Sequence, residues 1–155
     1  QQFHNILSTD IENQSKNLLT CMVASSKSDL LDRHKKQFEK MNYRVFEEIN
    51  SESTRQNFVD EKMHSHILNL LLKYNHGKHR LILATGDGND NGGMIRNVES
   101  TSFITCVLTA LEHGWEVVLY SYSSSLSLNY EYIQQLYPKM FQIRLLEALV
   151  RNRKK

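Results

Sequence analysis

Short apolar runs punctuate the chain at residues 18–24 (LLTCMVA), 43–49 (YRVFEEI), 81–85 (LILAT) and 115–121 (WEVVLYS). Runs of this length, set between longer segments with helical spacing, read as strands of a parallel sheet. The run at 81–85 is the clearest and stops at Gly86, whereas 43–49 alternates apolar with polar residues. Residues 3–9 are a candidate fifth strand, interrupted by the polar His4 and Asn5. Helices fit between these runs. Residues 28–41 open with the capping residues Ser28 and Asp29 and carry Leu30, Leu31 and Phe38. Residues 60–74 repeat Met63, Ile67, Leu70, Leu71 and Tyr74 at helical spacing. Residues 102–113 carry Phe103, Val107 and Leu111, and Gly114 stands where a helix would be capped. Residues 130–151 read as one or two further helices around Pro138. Strands alternating with helices predict a doubly wound α/β domain, in which ligands bind beyond the carboxyl ends of the strands.

Length changes this picture only by bounding it. The 155 residues suit one domain, residues 1–155, and the single proline and absence of a Gly-, Ser- or Pro-rich linker mark no boundary. A hydrophobic share of 40% and a charged share of 23% are those of an ordinary globular protein. No apolar stretch reaches the length of a membrane span, and no basic segment precedes an apolar run at the start. The expected setting is therefore intracellular, cytoplasm or nucleus, with no membrane partner. Cys21 and Cys106 lie inside apolar runs and read as small buried hydrophobes, without the spacing of a zinc site or a disulfide framework. His64 and His66 are two apart on an expected helix and face different ways, which does not suit a zinc pair.

The net charge of +2 says little, but its distribution says more. Arg33, Lys35, Lys36 and Lys40 cluster in one stretch, and Arg151, Arg153, Lys154 and Lys155 end the chain. Such clusters suit phosphate contacts, and they equally suit a solvated helix face and a tail.

Three acids stand where chemistry would be expected. Asp87 lies in Thr85-Gly86-Asp87-Gly88-Asn89, directly beyond the clearest strand, where the glycines let the backbone turn and leave a carboxylate open. A plain turn would use the same residues. Asp60, in Val59-Asp60-Glu61, stands at the expected start of a helix, where an N-cap role is the simpler alternative. Asp10, in Asp10-Ile11-Glu12-Asn13, follows the candidate first strand and would also serve as a turn or cap. Three carboxylates converging from strand ends would repel one another unless a cation joined them. Mg²⁺ takes one or two carboxylates with waters and substrate phosphate, and such a metal activates water and steadies a leaving oxygen. No Ser/His/Asp or Cys/His arrangement competes with this reading.

These residues resemble the NYN domains of the PIN-like ribonuclease superfamily. The run from Leu81 to Asn89 resembles that family's central strand and acidic turn. Ser102-Phe103, Ala110-Leu111, Gly114-Trp115-Glu116-Val117 and Tyr120-Ser121 resemble its next helix and strand, and Ser125-Leu126-Ser127 with Tyr130 the short motif that follows. Val59-Asp60-Glu61 resembles the second acidic position, and Asp10-Ile11-Glu12-Asn13 the D-x-x-N turn closing the first strand. The resemblance covers residues 6–132 and is most specific over its central block.

What the resemblance implies is a Rossmann-like, three-layer PIN/NYN fold with a mainly parallel central sheet. It further implies a metal-dependent endoribonuclease that hydrolyses RNA with bound Mg²⁺ or Mn²⁺. Asp10, Asp60 and Asp87 would be both metal ligands and catalytic carboxylates, with Asn13, Asn89 and Asp90 in support. Many relatives carry a further acid at the position of Asn89, so an inactive NYN domain that binds RNA or protein is the alternative. Single-stranded RNA is the expected partner, with a homodimer or partner protein also open. Arg96, in the loop of residues 91–99, is a candidate phosphate contact because guanidinium binds phosphate in a bidentate fork, and a plain exposed loop arginine is the equal alternative. Lys62, Arg33 and Lys36 are the further RNA-binding candidates.

Overall fold

The computed structural model describes residues 20–26, 29–48, 56–85 and 102–151. They form two compact units, the first ending at Met63 and the second beginning at His64. In the first, strand β1 (Met22–Ser26) pairs in parallel with β2 (Arg44–Glu48), and helix α1 (Asp29–Lys40) joins them. Helix α2 (Gln56–Lys73) crosses the division between the units. The second unit adds β3 (Arg80–Ala84), α3 (Phe103–Glu112), β4 (Glu116–Ser121), α4 (Leu128–Leu136), β5 (Phe141–Leu145) and α5 (Leu146–Arg151).

The strands are parallel throughout, as expected, but the described residues place them in two sheets, β1–β2 and β3–β4–β5. Parallel neighbours need a crossover, and α1, α3 and α4 each lead from one strand to the next. The middle strand β4 is buried at every position from Val117 to Ser121. Both of its faces are therefore covered, which is why it reads as an unbroken apolar run rather than an alternating one. The core of this unit combines Ile67 and Leu71 of α2, Leu83 of β3, and Cys106, Val107, Ala110 and Leu111 of α3. Trp115, Val117, Leu119, Tyr130, Ile133 and Phe141 complete it. Residues 64, 67 and 71 are all buried, which is the i, i+3, i+7 stripe of a helix facing a core.

Two helices end in the same way, and those ends aim the strands that follow. At the end of α3, Trp115 N–H donates to Ala110 O at 2.9 Å and Gly114 N–H to Leu111 O at 3.0 Å. Gly114 has φ +79°, the left-handed conformation this Schellman motif requires. A Cβ there would meet nothing within 4 Å, so the demand for glycine is conformational and not steric. At the end of α1, Tyr43 N–H donates to Phe38 O and Asn42 N–H to Glu39 O, both at 3.0 Å, with Asn42 at φ 60°. The Phe38 and Tyr43 rings meet edge to face at 5.6 Å, which is the apolar contact that accompanies the motif.

Two expectations are corrected. Residues 130–151 are not helical throughout: β5 lies between α4 and α5. Phe141-Gln142-Ile143-Arg144 alternates apolar with polar, a period of two that a half-covered strand satisfies and a helix does not. Helix α2 begins at Gln56, a full turn before the expected start at residue 60. The candidate strand at residues 3–9 lies outside the described residues. No described helix is long and apolar enough to cross a membrane.

Candidate functional site

The carboxyl end of the β3–β4–β5 sheet is where the topology directs a ligand. Strand β3 hands the chain on at Thr85, whose N–H donates to Tyr120 O at 3.2 Å, so the ladder with β4 runs to the last described residue before the acidic turn. Asp87, Asn89 and Asp90 follow in sequence and lie outside the described residues, as do Asp10, Asn13 and Arg96. The convergence expected of Asp10, Asp60 and Asp87 therefore concerns positions of which only Asp60 is described.

Asp60 is half-buried and is the fifth residue of α2. That position rules out the N-cap role, because a cap lies outside the first helical residue and has non-helical backbone angles. Asp also has weak helix propensity, so helix formation alone does not account for it inside a turn. Lys62 is exposed on the same helix. On α1, Lys36 and Lys40 are exposed one turn apart, and Arg44, also exposed, opens β2. Arg33 lies on α1. Residues three or four apart share a helix face, so Lys36 and Lys40 make a local positive strip in the first unit.

The rim of the second unit's sheet is more fully described. Tyr122, the first residue beyond β4, is 47% exposed. The three-residue 3-10 turn Ser123–Ser125 follows it and is tied down by α5. Glu147 Oε1 accepts both Ser123 N–H and Ser123 Oγ–H at 2.7 Å. On β5, Arg144 donates to Tyr120 Oη at 3.0 Å and to Gln142 Oε1 at 3.2 Å, and its guanidinium lies 5.8 Å from the Tyr120 ring centre. None of Tyr122, Arg144 and Glu147 was singled out from sequence. Arg144 and Glu147 fall in the segment read as helical, and Tyr122 has no motif of its own; a strand reading of FQIRL would have brought Arg144 to this rim.

His64 is 4% exposed and packs edge to face on Phe103, ring centres 4.3 Å apart. Burial holds its imidazole below the ordinary value of 6.5, because a charged ring loses solvation there. The unfolded chain thus takes up this proton at higher pH than the folded one. The stability concerned is complete above about pH 6.5 and declines as the pH falls toward the folded-state value. The melting temperature of the wild type is expected to drop more steeply from pH 7 to pH 5 than that of His64→Gln. Parallel profiles would show that His64 contributes nothing to acid sensitivity. Cys106 is fully buried, its thiol pushed up to about 12 by burial, and its Sγ–H donates to His64 O at 3.9 Å. Both side chains are buried in the second unit. Cys21 is only half-buried, with its thiol also raised by burial, so it departs from the expectation of a fully buried residue.

Among the described residues no three His, Cys, Asp or Glu side chains come together as a metal site. Two of the three expected ligands are not among those residues. Comparison of the chain with family models, curated proteins and solved structures finds no significant match to any of them.

Proposed function

We propose that this chain is a PIN/NYN-type domain acting as a metal-dependent endoribonuclease on single-stranded RNA. The observation that carries the reading is the direction of β3. It is a parallel strand whose carboxyl end opens directly into Thr85-Gly86-Asp87, the place where α/β sheets bind ligands. Asp60, the one candidate acid among the described residues, is half-buried on α2.

The donor set suits a hard cation: Asp10, Asp60 and Asp87 would hold Mg²⁺ or Mn²⁺ through oxygen. When bound, the metal supplies an activated water and a Lewis acid for the phosphodiester. The chain's own residues do the rest. Asn13 and Asn89 would orient the carboxylates by donating amide hydrogen bonds to them, and Asp90 would add a further carboxylate to the set. Lys62, Arg96, Arg33 and Lys36 would hold the RNA through its phosphates, which makes affinity fall steeply with salt.

Incubating the chain with labelled single-stranded RNA and Mn²⁺, with and without EDTA, tests this directly. Cleavage that the chelator abolishes is the expected result. Metal-independent binding without cleavage would replace the enzyme with an inactive RNA-binding domain, a result that Asn89, standing where many relatives carry an acid, would explain. Binding that does not weaken between low and moderate salt would count against RNA as the partner.

A further inference from the structure

We propose that Tyr122 is the platform on which an unpaired RNA base stacks beyond the carboxyl end of β4, an inference that rests on the ribonuclease reading above. Tyr120 and Ser121 are buried, at 1% and 2% exposure, and the next residue, Tyr122, turns out to 47%. It stands at the carboxyl end of β4, the middle strand. The neighbouring strand β3 delivers its chain at that same end, through the Thr85 N–H to Tyr120 O bond. Two residues further along the sequence comes Asp87.

The tyrosine is also held in place before any ligand arrives. Its carbonyl accepts Ser125 N–H at 3.0 Å and Ser121 Oγ–H at 3.4 Å. The turn beyond it is fixed by the paired bonds of Ser123 to Glu147. A side chain on an anchored backbone loses little freedom on binding, and a tyrosine ring has few rotors to freeze.

Electrostatics says which part of the RNA should meet it. A turn rich in carboxylates repels phosphates until a cation is present. An uncharged contact that engages bases draws the strand close to such a turn without setting a phosphate against its carboxylates, and so complements phosphate contacts from basic residues such as Arg96. Stacking on an aromatic ring meets this need and tolerates any base, because every base has a π-face. It also selects for single strands, since bases within a duplex are already stacked on each other.

The test uses the full chain in EDTA, so that no cleavage occurs, with a fluorescein-labelled single-stranded oligoribonucleotide and an abasic oligomer of the same length. Affinities are read by anisotropy for wild type, Tyr122→Ala and Tyr122→Phe. Tyr122→Ala is expected to weaken binding to the base-bearing strand about 5- to 150-fold, the range for losing one base–aromatic stack. Tyr122→Phe should bind as the wild type does, and all three proteins should bind the abasic strand alike. If the wild type binds RNA and Tyr122→Ala binds it equally well, the stacking role is overturned while the ribonuclease reading stands. A loss in Tyr122→Phe, or an equal loss on the abasic strand, overturns it too, by assigning the contact to the hydroxyl or the backbone. A wild type that binds no RNA in EDTA yet cleaves it with Mn²⁺ overturns this inference alone, because a metal-free stacking platform would still hold the strand; one that neither binds RNA in EDTA nor cleaves it with Mn²⁺ overturns the ribonuclease reading as well.

Discussion

Asp87→Asn is expected to abolish RNA cleavage, lowering the rate by at least about a hundredfold, while RNA affinity holds or rises. The substitution keeps the size of the side chain and its preference for turns, and removes only the negative charge. If Asp87 merely shapes the turn after β3, Asn would serve nearly as well and activity would hardly change. If it holds a cation that activates water and bears transition-state charge, its loss should cost several kcal/mol in the barrier, roughly 3 or more. On the proposed reading, binding would depend on basic and aromatic groups elsewhere, and one carboxylate fewer beside a phosphate would reduce repulsion. The metal-free fold should be unchanged or slightly more stable, because clustered acids repel one another. Asp60→Asn should behave in the same way, now that its place inside α2 removes the capping explanation. Cleavage, affinity and melting temperature are to be measured on the same preparations. Wild-type activity in Asp87→Asn would end its catalytic assignment, and wild-type activity in Asp60→Asn alone would confine the metal site to the remaining acids.

The largest effect on stability is expected from Phe141→Ala. Phe141 is 1% exposed on β5, sits in register with Val117 of the middle strand, and has its ring centre 6.2 Å from that of Tyr130. Removing a fully buried aromatic ring typically costs about 3–5 kcal/mol, through lost transfer energy and the cavity left behind. That is a large fraction of the roughly 5–15 kcal/mol of a typical domain. Its neighbour Gln142 is exposed, so Gln142→Ala should stay within about 0.5 kcal/mol of wild type. Urea unfolding followed by the fluorescence of Trp115, which lies in the same core, separates the two. A loss below about 1 kcal/mol for Phe141→Ala would mean that β5 does not close this core.

Periodicity by itself determined most of the elements. The runs beginning at Leu18, Tyr43, Leu81 and Trp115 all lead to parallel strands, since buried strands must be apolar and crossover helices must separate them. Local capping chemistry was legible at Gly114, which takes the left-handed position after α3, because that signal acts within a few residues; the N-cap bond from Thr105 N–H to Ser102 Oγ, at 3.1 Å, came only with the structure. The acids were recognisable as candidates from their neighbours in sequence, and of the three only Asp87 follows β3, a parallel strand.

What only the tertiary structure decided involves partners distant in sequence. The segment around Pro138 has enough apolar residues for a helix, and pairing with β4 makes residues 141–145 a strand, through bonds such as Val117 N–H to Met140 O at 2.8 Å. The division of the strands into two sheets is a matter of which edges pair, and hydrophobic spacing carries no such information. Tyr122 looked like any residue in a serine-rich stretch. Its exposure at the sheet's end follows from a strand that stops at Ser121 and a turn held by a glutamate 24 residues further on. Short-range patterns specify short-range structure; which surfaces meet depends on contacts whose partners lie tens of residues apart, and those are settled only when the chain packs.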